Sequence, residues 1–521
     1  MTAASCVSTC TTIKQSAPAS GYDDGFIAKY DGSGHLIRWT YFGGNGRDII
    51  HQIVVDQSTH DVFVAGYTES TPSSFPSATS TYTPYLDNRG GDIFIAQFDS
   101  CLGTLKFLGF WTGSDYKQDR PHGLSIYDDG SDKYLVISGT TPSGTSSGFA
   151  FPTSGADEVW DHEYGGGSSD AFLMKWKKMS ELTLGPHWCT YLGGSLGDKG
   201  RKNLVMPDGS IYIVGETLSY EDGLKFQHTS DALYQGDHHS DLGLNDGYIA
   251  KFNSNGTNRI SFTFFGGNAD DIIMDINLYH SNPNASNNHD SIAIAGLTTS
   301  YSTGSNPGPI PLYNASIVSD KIDGDGNNPG KDAFFSVVTG TGEGANSQIV
   351  SFSSYIGGTG DEAQTLSYGP AIALGTIGSE YIALATKSSN IQSICQVNSQ
   401  IGTYSGNQDV YIGKIFPFVQ RYCPTCSPCK LAGDDNSDGS PLIAYPIPFD
   451  ELLHVQLNSV TESEAIINAY NMLGEIVLAQ KIIVIHDWNT VTLNFEGKPS
   501  GIYLLKVEFD GKIQEAIVVK E

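Results

Sequence analysis

Positive charge is scarce in this chain: 29 Lys and Arg stand against 57 Asp and Glu, a formal net charge of −28. A surface of that sign repels phosphate backbones and anionic lipid alike, so neither nucleic acid nor a membrane surface is an expected partner. Long hydrophobic runs are also missing, and no window approaches the roughly 18 apolar residues that a spanning helix needs, so membrane insertion is not expected. The opening residues Met1 to Ser20 lack the apolar core of a signal peptide. The expectation is therefore that the native start lies upstream, with a signal ahead of it. Nucleophile elbows and metalloprotease helices are absent, and no Lys-Ser/Thr follows any glycine pair, which excludes a phosphate cradle.

What is abundant is glycine and aromatic residues: 60 Gly, 27 Tyr and 24 Phe, with only 17% charged residues. That balance describes many short strands joined by tight turns, an all-β class. One stretch organises them. Asp24-Gly25-Phe26-Ile27-Ala28-Lys29-Tyr30 returns in related form behind Asp92, Asp170, Asp246, Asp332 and Asp409, at intervals of 68 to 86 residues. A repeat of this length, built from strand-like pieces, buries its faces against neighbouring copies.

Within the first copy, the turn Asp31-Gly32-Ser33-Gly34 leads to Leu36–Thr40 and the corner Phe42-Gly43-Gly44. Strands then follow at Asp48–Val55 and Val62–Thr68. The Asp-Gly pair makes the first link a hairpin, and four strands per repeat is the blade of a β-propeller. The corner returns at Gly113, Gly193-Gly194, Gly266-Gly267 and Gly357-Gly358, where glycine would allow positive φ or close passage at a crowded core. The fourth strand returns with its glycine, replaced in the fifth copy at Ala385. Six signature strands against five corners predict six or five blades, closed by a clasp of the two chain ends. Both faces of each strand are expected to be buried between blades, as Phe26 and Ile27 suggest.

These residues resemble the bacterial β-propeller repeat family known as SBBP, best from Asp24 to Pro76 and in eroded form to about residue 420. The resemblance implies the fold and no single activity. The longest inserts, Thr141–Ser169, Ser219–Asn245 and Ser300–Lys331, read as loops on one rim, where binding residues usually sit on a rigid scaffold.

The repeats end near Phe416. Segments are therefore assigned as follows: 1–20 a remnant or clasp, 21–420 the propeller, 421–440 a Cys- and Asp-rich linker, and 441–521 a second domain. In that last segment apolar residues alternate over short strands, which gives a small Ig-like β-sandwich. Tyr445, Pro446, Pro448 and Phe449, then Gly474, then Gly501, Tyr503 and Lys506, resemble in order and spacing the type A C-terminal sorting domain of the type IX secretion system. The resemblance implies those residues as the sorting signal, the type IX machinery as partner, and a secreted or cell-surface location.

Chemistry-bearing clusters are few. Asp323, Asp325 and Asn327, and again Asp434, Asn436 and Asp438, place oxygens at alternate positions around a glycine, as a calcium loop does. Neither ends in the bidentate Glu of a full loop, so each is weighed against a solvated turn, and calcium is the one cofactor considered. Eight cysteines include Cys423, Cys426 and Cys429, a spacing that fits a disulfide-pinned linker or an incomplete zinc set. Asp237-His238-His239 and His187-Trp188 read as surface loop or strand. The six leading aspartates either ring the axis or take backbone N–H groups at strand entries. Three functions remain open. The first is a non-catalytic binding, adhesion or structural propeller that takes polysaccharide or a surface protein. The second is a carbohydrate-active hydrolase or lyase, which would need an asymmetric carboxylate pair. The third is a subunit of an extracellular layer or filament.

Overall fold

The computed structural model describes residues 22–31, 35–83, 91–111, 118–142, 159–178, 185–220, 244–279, 291–300, 331–339, 349–356, 369–374, 380–386 and 409–415. It continues with 443–445, 451–459, 463–471, 476–484, 487–499, 501–509 and 512–520. Two compact units result, Met1–Cys429 and Lys430–Glu521. Among the described residues no helix is long and apolar enough to cross a membrane.

The first unit is a β-propeller. Its sheets are antiparallel meanders read outward from the axis: Asp48–Val55, Val62–Thr68, Asp92–Phe98 and Leu105–Trp111 form the first blade. The second runs from Arg120–Asp128 to Pro186–Leu192, the third from Asp198–Val205 to Arg259–Phe265, and the fourth from Asp271–Leu278 to Ile349–Ile356. A three-stranded sheet follows (Ala371–Leu374, Glu380–Thr386, Asp409–Ile415), and a two-stranded one precedes (Gly25–Tyr30, Leu36–Phe42). The first blade carries a strand beyond the expected four, because Ser80–Tyr82 of its insert adds in parallel to the outer edge.

Blades stack face to face, which is why the strands are apolar on both sides. One core cluster joins Phe63, Ala65, Ile93 and Ile95 of the first blade to Phe172, Met174 and Trp176 of the second. Similar clusters straddle the second and third, the third and fourth, and the fourth and the three-stranded sheet. The signature aromatic is fully buried in such seams: Phe172, Tyr248 and Phe334 between blades, and Phe94 between the first blade and the two-stranded sheet. Phe26 departs from the expectation. It is 66% exposed, because the two-stranded sheet packs only the opposite face, through Ile27, onto the first blade.

The sequence repeat and the blade are out of phase. From the second copy on, each signature strand is the third strand of a sheet whose first two strands come from the preceding repeat, while the first, Gly25–Tyr30, belongs to the two-stranded sheet. Signature lysines fasten the seams: Lys29 donates to the Ser100 carbonyl at 3.0 Å, and Lys175, with its ammonium 4.8 and 4.2 Å from the Tyr127 and Tyr134 rings, donates to that of Ser254.

The corner glycines answer to a carboxylate rather than to positive φ. A Cβ on Gly43, Gly193 or Gly266 would lie within 2.5 Å of an oxygen of Asp24, Asp170 or Asp246. Asp24, Asp170 and Asp246 therefore sit at the seams between sheets, the last two on third strands, rather than around the axis. The backbone N–H groups of the corner go mainly to a second aspartate, which opens the inner strand. Asp48 accepts from Gly44 N and Ser70 Oγ, both at 2.7 Å, and Asp198 and Asp271 repeat the pattern with Gly194 and Ser219 and with Gly267 and Ser300.

The second unit has a sheet of Ile443–Tyr445, Leu452–Ser459 and Asp487–Asn494, and another of Ile476–Val484, Ser463–Tyr470, Gly501–Phe509 and Lys512–Lys520. Alternating residues of both, including Leu453, Val455, Ile467, Leu493, Leu505 and Val507, close one core.

Candidate functional site

Among the described residues, the inner strands carry a device that recurs in each of the four blades with all their strands described. Pairing with the second strand skips one residue, so a β-bulge leaves His51, His122, Arg201 and Met274 without a ladder partner. A bulge re-aims the side chain it carries and sharpens the local twist. Opposite each bulge is the fourth-strand glycine: a Cβ on Gly66, Gly139, Gly215 or Gly296 would fall 1.9–2.1 Å from the carbonyl oxygen of Ile49, Arg120, Lys199 or Ile272. Glycine is needed there because the bulged strand presses its carbonyl into that space. In the three-stranded sheet the pairing of Thr386 with Asp409 and Leu384 with Tyr411 puts Leu384 at the glycine position, one residue before the expected Ala385. The described pairs of that sheet contain no bulge.

Register places axial residues in three tiers. The first, two residues before the bulge, holds Ile49, Arg120, Lys199 and Ile272. The second is the bulge itself, and the third holds Gln52, Gly123, Lys202 and Asp275. Contacts between blades confirm the convergence. The His51 and His122 rings meet edge to face at 5.4 Å, and Lys202 Nζ donates to Gln52 Oε1 at 2.6 Å across 150 residues of chain, from the third blade to the first. That bridge floors the first two tiers. Arg120 is exposed and the Lys199 side chain is 40% exposed, so the tiers open where the inner strands begin. Second strands end on the same rim, so the three long inserts leave and return on that side.

Among the described residues, four cations thus share the axis: Arg120, Lys199, Arg201 and Lys202. Glu216, 1% exposed, accepts from Arg201 Nε at 2.9 Å and Nη2 at 2.8 Å, and from Lys199 Nζ at 2.7 Å. Burial pushes its carboxyl up, but the two cations prevail and hold it below the usual range. Asp275, which accepts the Ile372 N–H at 2.8 Å, is raised by burial despite Lys202. Burial, with Arg120 and Arg201 near, lowers His51 to about 4 and likewise lowers His122 well below the ordinary imidazole value. Both imidazoles are therefore neutral near pH 7, each offering one N–H donor and one acceptor. Arg120 stacks on Tyr67 at 5.5 Å and bonds Gln118, whose amide donates to the Tyr67 hydroxyl.

Sequence reasoning found none of these residues, although a signal was present. Each bulge residue lies three places after an aspartate: Asp48 and His51, Asp119 and His122, Asp198 and Arg201, Asp271 and Met274. The expected calcium positions Asp323, Asp325, Asn327, Asp434, Asn436 and Asp438 lie outside the described residues, as do His238, His239, Pro446, Pro448, Phe449 and Gly474. His187 is exposed and Trp188 buried. Among the described residues no group of three or more His, Cys, Asp or Glu is placed to hold a metal ion. Cys101 is disulfide-bonded and Cys189 is a buried thiol. In the second unit Tyr445 ends the first strand of the smaller sheet, while Gly501, Tyr503 and Lys506 share one strand. Tyr503 is buried against Phe495, and its hydroxyl donates to the Pro499 carbonyl. Lys506 pairs with Glu508 at 3.2 Å.

Comparison with known proteins bears chiefly on this second unit. Residues 443–520 match the secretion system C-terminal sorting domain family. Among curated proteins nothing matches the chain. Solved structures that resemble it include a glycoside hydrolase family 43 arabinoxylan arabinofuranohydrolase from Bacillus subtilis in complex with cellotetraose. It is 7% identical, with a TM-score of 0.24, over 90% of this chain and 93% of that one. Another is the phage phi92 endosialidase, 10% identical, with a TM-score of 0.29, over 96% of this chain and 75% of that one. Likenesses that remote carry nothing about the chemistry of the axis. The sorting domain marks the chain as a secreted or cell-surface protein handled by the type IX secretion machinery.

Proposed function

We propose, from the premise that residues 443–520 direct the chain out of the cell, that the propeller is an extracellular binding module whose ligand enters the axial mouth. The observation that carries this reading is the set of bulges. Four strands repeat the same irregularity, and in three of them it delivers a hydrogen-bonding side chain, His51, His122 or Arg201, to one point. A merely structural bulge would carry an apolar side chain, as the fourth does with Met274, which packs against the seam with the three-stranded sheet. Polysaccharide is the ligand class that suits such a set of polar side chains on a rigid, exported scaffold.

A second reading, a glycan hydrolase, is favoured by one feature. Glu216 and Asp275 have opposite tendencies, one held ionised by Arg201 and Lys199, the other raised by burial. Against it stands the bonding of Glu216, whose two oxygens are committed to two cations inside the protein. Calcium held by the Asp323 and Asp434 clusters would support the inserts or the linker rather than the axis.

The test is retention of the purified chain on a panel of insoluble and soluble polysaccharides, with calcium and with chelator, while released reducing ends are assayed in the same tubes. Retention without product, reduced in His122→Ala, supports the binding reading. Product that disappears in Asp275→Asn replaces it with hydrolysis, and failure to retain any glycan refutes both.

A further inference from the structure

The axis is a concentration of positive charge inside a chain of net charge −28. Of its four cations, Lys199 and Arg201 share the single carboxylate of Glu216. Among the described residues no carboxylate stands within ion-pair distance of Arg120 or Lys202, which donate instead to the neutral amides of Gln118 and Gln52. Two further acids lie near: Asp275, raised by its burial and held down in part by Lys202, and Glu69, which accepts the Tyr67 hydroxyl bond beside Arg120. Cations gathered this closely repel one another, and those drawn into the protein, as Arg201 is, also lose hydration. They persist without cost to function where an anion completes the set.

Resting on the axial-ligand reading above, we propose that the mouth recognises a carboxylate carried singly on an otherwise neutral saccharide, an acidic sugar at a chain end or side branch. Arg120 and Lys199 stand at the rim to meet the anion, and the guanidinium of Arg120, steadied on the Tyr67 ring, offers a planar fork that suits a carboxylate. Beneath them the neutral imidazoles of His51 and His122 supply hydrogen bonds to sugar hydroxyls, and Lys202 on the floor adds charge from below. A continuous polyanion is the wrong ligand. Outside the mouth the acidic surface repels it, while screening over about 8 Å at physiological ionic strength lets one buried charge feel the axis alone.

The experiment titrates the full chain with sodium glucuronate and, in parallel, with glucose, following the imidazole proton resonances of His51 and His122. Glucuronate is expected to shift both resonances, and glucose to shift neither at the same concentration. Arg120→Gln and Lys202→Met, both at solvent-reachable positions, should each weaken glucuronate binding about tenfold or more while tryptophan fluorescence reports the native fold, since one charge-assisted hydrogen bond contributes roughly a factor of that size. Glucuronoxylan, with spaced carboxylates, should be retained better than polygalacturonate. Equal response to glucose and glucuronate, or unchanged affinity in both variants, overturns the anion proposal while leaving an axial glycan site standing. Stronger retention of polygalacturonate overturns the single-charge argument, and shifts confined to residues off the axis overturn this proposal and the axial reading together.

Discussion

Gly215→Ala tests the reasoning about the bulges directly. The new methyl carbon would sit 1.9 Å from the Lys199 carbonyl oxygen and 2.9 Å from the Tyr248 hydroxyl. Normal contact needs nearly twice the first distance, and the obstacle is backbone, so the inner strand itself must retreat. Overpacking of this kind costs about 1–3 kcal/mol. Retreat of Lys199 and Arg201 also disturbs the buried pairs of the adjacent Glu216, and breaking such a pair outright costs about 3–5 kcal/mol. The expected loss is therefore about 3 kcal/mol or more. Guanidinium unfolding followed by tryptophan fluorescence measures it, because Trp39, Trp111, Trp160, Trp176 and Trp188 all belong to the first unit. Gly130→Ala is the control: Gly130 has φ of +86° with nothing within 4 Å of a Cβ, so only the left-handed backbone is penalised, at about 1 kcal/mol. If Gly215→Ala costs no more than Gly130→Ala, the bulge does not require its glycine and the account of the axis fails.

Burial, with Asp246 close by, raises Asp271 to about 8. The folded carboxyl then keeps its proton between about pH 4 and pH 8, where the unfolded chain has released it, so this group's contribution falls as pH rises through that window and levels off above it. Asp271→Asn should accordingly gain stability relative to the native chain from pH 5 to pH 9 in thermal unfolding scans; a pH-independent difference would contradict this. Lys175→Met removes a cation held over two tyrosine rings and a bond to the Ser254 carbonyl, and should cost about 1–2 kcal/mol in the same scans. An unchanged transition would show that the seam does not need it. Tyr503→Phe should cost the second unit about 1 kcal/mol through the lost bond to Pro499, read by proton exchange of Gly501–Phe509; unchanged exchange would argue against that bond.

The strands were legible because their signals are local. Leu36, Asp48–Val55 and Val62–Thr68 begin or end where apolar alternation and glycine corners put them. The phase of the blades was not, since the same string of strands can be cut into fours at several points and only pairing chooses among them. Exposure of Phe26 was missed for a related reason, as a terminal copy looks like an interior one until its neighbour is counted. The axis was hidden by the comparison of copies itself. His51, His122, Arg201 and Met274 differ in kind, so reading for what repeats discards them, and a bulge is a property of two strands in register rather than of either one. The sorting domain was legible because its residues follow one another in a fixed order.

The offset between repeat and blade has a mechanical consequence. Every repeat supplies the outer half of one sheet and the inner half of the next, so pulling one repeat free strips strands from two sheets at once. Tension or a protease acting at one place must therefore open two seams before a segment comes loose. The propeller resists wear as a chain of interlocked links does, in which no link can be withdrawn alone, and that suits a protein whose working life is spent outside the cell.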